Sequence, residues 1–247
     1  MIEQRLISLR KTIRKNNKIV VNKLIKNHDS SICILCGNDE PLTKEHVIPK
    51  WAFENNQKKH FITNINGISQ TYSKTTISAC SHCNSYILGS LEHYIANLFN
   101  NTDLTNTDFS NAEKEKIILW LELIDLKFQI LNLRRKLRKP KNSKYSPYLA
   151  EIPIGIMQKI DISPNKVFSN FRRAHKKLSV KSKNKEINSL VVFKTSNTSF
   201  HFFHKVNEFI FIELPKQKVA SFYFINKTFA KHQDASNSAM EQIKLTY

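Results

Sequence analysis

Cys33-Ile-Leu-Cys36 and Cys80-Ser-His-Cys83-Asn84 are the two stretches of this sequence that decide its fold. The chain contains four cysteines, and all of them lie in these two C-x-x-C pairs. Four thiolates with this pairing can close a tetrahedral shell around a structural Zn²⁺ ion. The 43 residues between the pairs exceed the usual spacing of a zinc ribbon, which indicates that functional structure is inserted inside the zinc loop.

Disulfides and ordinary core cysteines are the alternatives to a zinc site. A chain of 247 residues is too long for a small disulfide-stapled domain, and residues 1–14 are charged and lack the apolar stretch of a secretory signal. Core cysteines would not be expected to occur only as two C-x-x-C pairs. The sequence therefore predicts thiols in a reducing, cytoplasmic environment and a bound zinc ion.

The residues around the two pairs form a longer pattern. Thr43-Lys44-Glu45-His46-Val47-Ile48-Pro49-Lys50-Trp51 lies between them, Asn84 directly follows the last cysteine, and Leu91-Glu92 comes shortly after. This pattern resembles the HNH endonucleases of the ββα-metal (His-Me finger) type, in the branch stabilised by zinc. The resemblance covers residues 31–100, which is under a third of the chain.

The resemblance implies a role for each matching residue. His46 corresponds to the general base that takes a proton from the water attacking a phosphodiester. Glu45 and Asn84 correspond to the ligands of a catalytic divalent ion, Mg²⁺ or Mn²⁺. The central asparagine of the motif corresponds to either Asn64 or Asn66. The implied activity is that of a metal-dependent endonuclease, a hydrolase of phosphodiester bonds, acting on DNA.

The chemistry of these residue types agrees with those roles. An imidazole titrates near neutral pH and can accept a proton there, and carboxylate and amide oxygens suit a hard divalent cation. The local patterns predict strands at Leu42–Ile48 and Thr71–Ala79 and a helix from Asn84 to Phe99, whose apolar residues recur every three or four positions. Strand, strand and helix follow in the order that such a site requires.

The charge of the chain points to a polyanionic partner. The chain has 39 basic and 20 acidic residues and a formal net charge of +19. Residues 31–100 are neutral, whereas residues 134–185 hold 16 basic and 2 acidic side chains. We therefore expect nucleic acid, most readily DNA, to bind mainly outside the nuclease-like segment. The predicted nucleic-acid-binding residues are Arg134, Arg135, Lys136, Arg138, Lys139, Arg172, Arg173, Lys176 and Lys177.

The flanking segments predict helices and an antiparallel sheet. Residues 1–30 form a basic helical segment with an apolar stripe, and residues 113–137 form a helix that is apolar on nearly all sides, which is typical of a core or an oligomer interface. Glu122, Asp125 and Lys127 interrupt that helix and argue against a membrane span. Residues 165–177 form a short helix, and four strand-like segments lie between residues 190 and 225. The strands are rich in phenylalanine, which can form a core or a platform for unpaired bases.

The sequence thus predicts an α+β protein of three parts. Residues 1–30 are a basic helical segment, residues 31–100 a zinc-braced ββα-metal module, and residues 101–247 a helical and antiparallel-β accessory region that binds nucleic acid or a protein partner. Two alternatives to a free-standing nuclease remain open. One is a zinc module that binds nucleic acid without cleaving it, and the other is the nuclease subunit of a larger assembly in antiviral defence or a mobile element, docked through residues 113–137.

Overall fold

The computed structural model describes residues 2–26, 31–39, 41–53, 60–62, 69–104, 108–137, 164–180 and 182–246. The helices are α1 (Ile2–Val21), α2 (Lys50–Phe53), α3 (Gly89–Asn101), α4 (Asn111–Leu137), α5 (Pro164–Leu178) and α6 (His232–Thr246). The strands are β1 (Leu42–His46), β2 (His60–Ile62), β3 (Ser69–Thr71), β4 (Thr76–Cys80), β5 (Leu190–Lys194), β6 (His201–Lys205), β7 (Phe209–Leu214) and β8 (Val219–Phe224). The α+β class predicted from the sequence is confirmed.

The segment around the cysteine pairs folds as two strands followed by a helix. Strands β1 and β4 pair in antiparallel fashion, with Leu42 opposite Cys80 and His46 opposite Thr76. A π-helical segment (His82–Leu88) follows β4 and leads directly into α3. The predicted order of strand, strand and helix is confirmed, and β2 and β3 form a further short hairpin that the sequence pattern did not predict.

Helix α1 covers the first cysteine pair with its apolar stripe. Gly37, the residue after Cys36, has a φ of +77°. A side chain there would be strained in this left-handed conformation, and a Cβ atom would come within 3.0 Å of the side chain of Ile19 in α1. Lys23 Nζ also donates a hydrogen bond to the Gly37 carbonyl at 3.0 Å. The turn of the first knuckle therefore needs glycine for its conformation and for its close approach to α1.

Helix α4 runs through the centre of the protein. Every residue from Ile117 to Leu131 is buried, including the charged side chains Glu122, Asp125 and Lys127. The core alternative predicted for this helix is confirmed over residues 117–131, and this stretch is not available for the alternative interface with a partner. The physical reason is that other helices and strands of the same chain cover this segment. The expected interface rested on the apolar residues of the helix and left out its charged residues, which pair with other side chains inside the fold.

Each buried charge of α4 is paired with a different surrounding element. Glu122 Oε2 accepts from Lys183 Nζ at 2.6 Å, and its other oxygen accepts from the Tyr223 hydroxyl at 3.1 Å. Asp125 Oδ1 lies 2.7 Å from His204 Nε2 of β6. Lys127 reaches into the β1 and α3 region. Because a buried charge without its partner is costly, these three contacts fix how the helix is rotated and how far it is inserted.

The C-terminal strands form one antiparallel sheet with the order β5-β8-β7-β6. The four predicted strands are confirmed. One face packs on the central core through residues such as Leu190, Ile210 and Tyr223, and the other forms a second core with α6 through Phe222, Ala235 and neighbours. The prediction that the phenylalanines of these strands form a core is confirmed for the buried ones, Phe200, Phe202, Phe211, Phe222 and Phe224. In the described part of the chain, no helix is long and apolar enough to cross a bilayer.

His175 of α5 is fully buried against α1 and makes stability depend on pH. Asn17 Nδ2 lies 2.6 Å from His175 Nδ1, and the buried Nε2 atom has no hydrogen-bond partner among the residues that the structure describes. Burial lowers the pKa of His175 to about 4 from its ordinary value of 6.5. In the unfolded chain the imidazole of His175 is therefore protonated below about pH 6.5, whereas in the folded chain it stays neutral down to about pH 4.

We expect acidification from pH 6.5 to pH 4 to remove about 3 kcal/mol of stability through this one group. The contribution is fully present above pH 6.5 and is lost as the pH falls through that window. Urea unfolding of the wild type and of His175→Leu at several pH values tests this, because the difference between them should shrink on acidification. His93→Leu, which changes an exposed histidine, is the control. A difference that stays constant with pH would contradict the prediction.

Candidate metal centre and the surroundings of Glu45 and His46

The four cysteine sulfurs form one cluster. Sγ atoms of Cys33, Cys36, Cys80 and Cys83 all lie within 4.8 Å of one another, and Cys36 Sγ is 3.7 Å from Cys80 Sγ. Tetrahedral Zn²⁺ with Zn–S bonds of about 2.3 Å requires sulfur atoms about 3.8 Å apart. In the described part of the chain, these cysteines form the one group of ligand-type side chains able to hold a metal ion. The cluster therefore fits a structural zinc ion.

The close contact of the four thiols favours a cation at the centre of the cluster. A hydrogen bond from Cys83 lowers the pKa of Cys33 to about 5, whereas burial raises the pKa of Cys36 to about 12. Contact with the Cys33 sulfur also raises the pKa of Cys83. Four sulfurs this close together, three of them buried, cannot all ionise side by side unless a cation balances them, and Zn²⁺ would supply that charge while displacing their protons.

Asn84 is held against β1 by the second cysteine pair. Its Nδ2 atom donates to Thr43 Oγ1 at 2.8 Å, and the Thr43 hydroxyl donates to the carbonyl of Ala79 at 2.8 Å. The bond uses the amide nitrogen of Asn84, which leaves the amide oxygen as the atom able to ligate a cation. Because side chains two residues apart on a strand share a face, Glu45 lies on the same face of β1 as Thr43 and Asn84.

His46 is the last residue of β1 and, by strand alternation, points to the other face from Glu45. Its ring centroid lies 6.3 Å from that of Phe53, and the imidazole has a hydrogen bond to the backbone of Ser73. Burial and the nearby charge of Lys50 lower the pKa of His46, although Glu45 opposes the effect. The imidazole is therefore neutral at pH 7 and is able to accept a proton there.

A buried lysine from α4 occupies the face of β1 that carries Glu45. Lys127 Nζ donates to Glu45 Oε1, to Glu92 Oε1 at 3.0 Å and to the carbonyl of His46 at 3.1 Å. The Lys127 side chain is 1% exposed and the Glu45 side chain 8%. Burial raises the pKa of Glu92 to about 7, against the opposing charge of Lys127, while the two carboxylates raise the pKa of Lys127. The ammonium thus joins both carboxylates and the end of β1 in one network.

This network bears directly on whether a catalytic divalent ion fits. Glu45 and Glu92 are oxygen ligands of the right chemistry, and the Asn84 oxygen lies on the same face as Glu45. However, a cation is already in place on Glu45 Oε1, and it is the ammonium of Lys127. As they stand, these residues do not form an open site for Mg²⁺ or Mn²⁺.

The structure describes only part of the predicted nucleic-acid-binding set. Arg172, Arg173 and Lys176 are exposed on α5, whereas the ammonium of Lys177 turns inward and donates to the carbonyl of Ile225. Arg134, Arg135 and Lys136 belong to the last turns of α4, and no side-chain placement is described for them. Arg138, Lys139, Asn64 and Asn66 lie outside the described residues.

Sequence reasoning missed Lys127 and Glu92 as neighbours of Glu45. A signal for Lys127 was present, because a lysine within an otherwise apolar helix needs a buried anionic partner. Nothing in the sequence identified which carboxylates those were, since Lys127 lies 82 residues from Glu45 and 35 from Glu92.

No family model matches this chain, and neither a curated protein nor a solved structure matches it.

Proposed function

We propose that this protein is an endonuclease of the HNH type that hydrolyses phosphodiester bonds, with DNA as its substrate. The observation that carries the proposal is the cysteine cluster, which joins the loop of Cys33 and Cys36 to the end of β4 and to the π-helical segment, where Asn84 bonds Thr43 of β1. In this proposal the neutral imidazole of His46, which is next to Glu45 at the end of β1 but on the other face of the strand, serves as the general base for an attacking water. The basic surface outside the hairpin supplies affinity for the phosphate backbone.

The catalytic ion belongs to this proposal. Glu45 and Asn84 are the residues that would hold Mg²⁺ or Mn²⁺, which would polarise the phosphate and stabilise the leaving oxygen. Binding there requires Lys127 to withdraw from Glu45, and Glu92 is a second carboxylate that can keep the ammonium paired. The side chains of this chain would then position the substrate, and His46 would accept the proton of the attacking water.

Replacement of His46 by alanine is expected to lower the cleavage rate at least 100-fold, because positioned general bases contribute about 10²- to 10⁴-fold. Zinc-loaded protein is incubated with supercoiled plasmid and with an oligoribonucleotide in the presence of Mg²⁺ or Mn²⁺, and nicking is followed on gels. His93→Ala is the matched control, since His93 is an exposed histidine that bonds Asn97 at 3.0 Å. Cleavage by His46→Ala at the wild-type rate would contradict the proposed base.

A second candidate function is a zinc-braced module that binds nucleic acid without cleaving it. The observation in its favour is the Lys127 ammonium on Glu45, which occupies the carboxylate that a catalytic ion would need. The same assay separates the candidates. Salt-sensitive binding together with an absence of cleavage in Mg²⁺, Mn²⁺ and Zn²⁺, for both plasmid and oligoribonucleotide, would favour the binding module and reject the nuclease.

A further inference from the structure

A groove between α1 and α5 has basic side chains on both walls. It has a volume of about 560 Å³, and its walls carry Arg14 and Lys18 from α1 and Arg172 and Lys176 from α5. The remaining lining residues are uncharged, and they are Ile13, Asn17, Val21, Asn22 and Ser179. The groove therefore presents four positive charges with no acidic side chain in its lining.

The charge pattern of the two helices is not that of an ordinary solvated surface, where both signs are interspersed. Helix α5 contains no acidic residue, and α1 contains only Glu3, which pairs with Lys116 at 2.8 Å. Arg14 and Lys18, like Arg172 and Lys176, are four residues apart and therefore neighbours on one helix face, where like charges destabilise a helix. An anion in the groove would relieve this repulsion on both walls at once.

Two hydrogen bonds between the helices hold the walls of the groove in place. Arg14 Nη2 donates to the carbonyl of Ser179 at 2.9 Å, which caps the end of α5. Asn17 lies in the floor of the groove and bonds the fully buried His175 at 2.6 Å. The two basic rows therefore flank the open volume of about 560 Å³ from opposite helices.

The lining of the groove also indicates how a nucleic acid would be recognised. Neighbouring basic residues on each wall are one helical turn, about 5.4 Å, apart, so each row can neutralise successive phosphates. The lining includes no aromatic residue on which an unpaired base could stack. The groove thus has the chemistry to bind a backbone and offers no aromatic platform for an unpaired base.

We propose that the α1–α5 groove binds the phosphodiester backbone of nucleic acid without regard to base sequence. The proposal rests on the nucleic-acid substrate of the proposed function and adds α1 to the interface. Arg14 and Lys18 thereby join Arg172 and Lys176 as one built site, and α1 connects it to the cysteine cluster through its contact with Gly37.

The test measures binding separately from cleavage. Fluorescence anisotropy is recorded with labelled 20-base-pair duplexes of two unrelated DNA sequences and with an RNA duplex, between 50 and 300 mM salt. The protein is zinc-loaded, carries His46→Ala, and receives no Mg²⁺ or Mn²⁺, so that the probe stays intact. The groove variant is Lys18→Gln/Arg172→Gln/Lys176→Gln, which retains Arg14 and its bond to Ser179. The control variant removes three exposed charges elsewhere, Lys185→Gln/Lys231→Gln/Lys244→Gln.

The groove variant should flatten the slope of log K against log salt by about 3 and weaken binding at least about tenfold at 100 mM salt, because each neutralised phosphate contributes about 0.9 to the slope on B-DNA. The control should bind within about twofold of the parent, and the two DNA sequences should bind alike. Lys18→Gln alone should flatten the slope by about 1, which tests the wall from α1 even if the triple variant folds poorly.

Equal salt slopes for groove and control variants would overturn the proposal, as would loss of affinity for only one of the two DNA sequences. If the groove variant binds only the DNA duplexes more weakly, the natural ligand of the groove is DNA. If it binds the DNA and RNA duplexes more weakly to the same extent, the groove recognises the phosphodiester chain that both share. Failure of the wild-type protein to cleave in the plasmid and oligoribonucleotide assay, together with intact groove binding, would reject the proposed nuclease and leave the groove proposal in place.

Discussion

Cys83→Ser is expected to abolish zinc binding and to unfold the region built on the cysteine cluster. Structural zinc sites contribute about 10–16 kcal/mol of binding free energy at pH 7, which matches or exceeds the whole stability of about 5–15 kcal/mol typical of a domain. The loss should be this severe because the cluster joins segments 44 residues apart, Cys36 and Cys80. The β1–β4 hairpin that it closes has only five residues in each strand.

Elemental analysis and tryptophan fluorescence measure the two halves of this prediction. The wild type should carry one zinc per chain and the variant none. Trp51 of α2 stacks on the buried Trp120 of α4 with ring centroids 5.7 Å apart, so emission reports whether the hairpin region stays docked on the central helix. His82→Ala is the control, because His82 lies in the same knuckle but is exposed and is not part of the cluster. A Cys83→Ser protein with full zinc content and native emission would show that the thiols are ordinary core residues.

Local patterns in the sequence were sufficient to predict the cysteine cluster and most of the helices and strands. The two C-x-x-C pairs predicted one cluster, and β1, β4 and the helix after Asn84 follow from residue periodicity and turn chemistry. Such features depend on neighbours in the chain. Helix α6 was missed because its face toward the sheet is made of small residues, Ala235 and Ala239, which give little hydrophobic periodicity.

Contacts between distant segments could not be predicted in the same way. The strand order β5-β8-β7-β6 places the first strand beside the last, and nothing in the individual strands specifies that pairing. The buried charges of α4 show the same limit. The sequence placed Glu122, Asp125 and Lys127 in an apolar helix and used them to argue against a membrane span, while their partners lie in five other segments of the chain.

The Lys127 network changes how the candidate site is understood. Glu45 was expected to hold a metal ion. In the structure it accepts a hydrogen bond from the ammonium of Lys127, which also bonds Glu92 and the carbonyl of His46. A buried carboxylate needs a positive partner whether or not catalysis occurs. Lys127 therefore stabilises the end of β1 in the folded protein, and it is also the group with which any divalent ion must compete.

Lys127→Met is expected to destabilise the protein by about 3–5 kcal/mol, because it leaves buried carboxylates without their cation. Urea unfolding at pH 7 measures the change. Lys114→Met is the matched control on the same helix, since Lys114 pairs at 2.7 Å with an Asp108 side chain that is 76% exposed. Surface pairs of that kind contribute about 1 kcal/mol or less. The triple variant Lys127→Met/Glu45→Gln/Glu92→Gln also removes the two carboxylates that Lys127→Met leaves unpaired. It should recover at least half of the free energy of unfolding that Lys127→Met loses.

Addition of Mg²⁺ or Mn²⁺ distinguishes a structural network from a latent ion site. If Glu45, Glu92 and Asn84 can ligate a hard cation, millimolar Mn²⁺ should raise the urea midpoint of Lys127→Met and leave that of the triple variant unchanged, because an ion that binds only the folded state stabilises it by mass action. A loss for Lys127→Met no larger than that for Lys114→Met would contradict the buried network itself. Full destabilisation without any rescue by ions would keep the network but remove the physical basis for a catalytic metal at Glu45, and the non-cleaving zinc module would then be the better description of this protein.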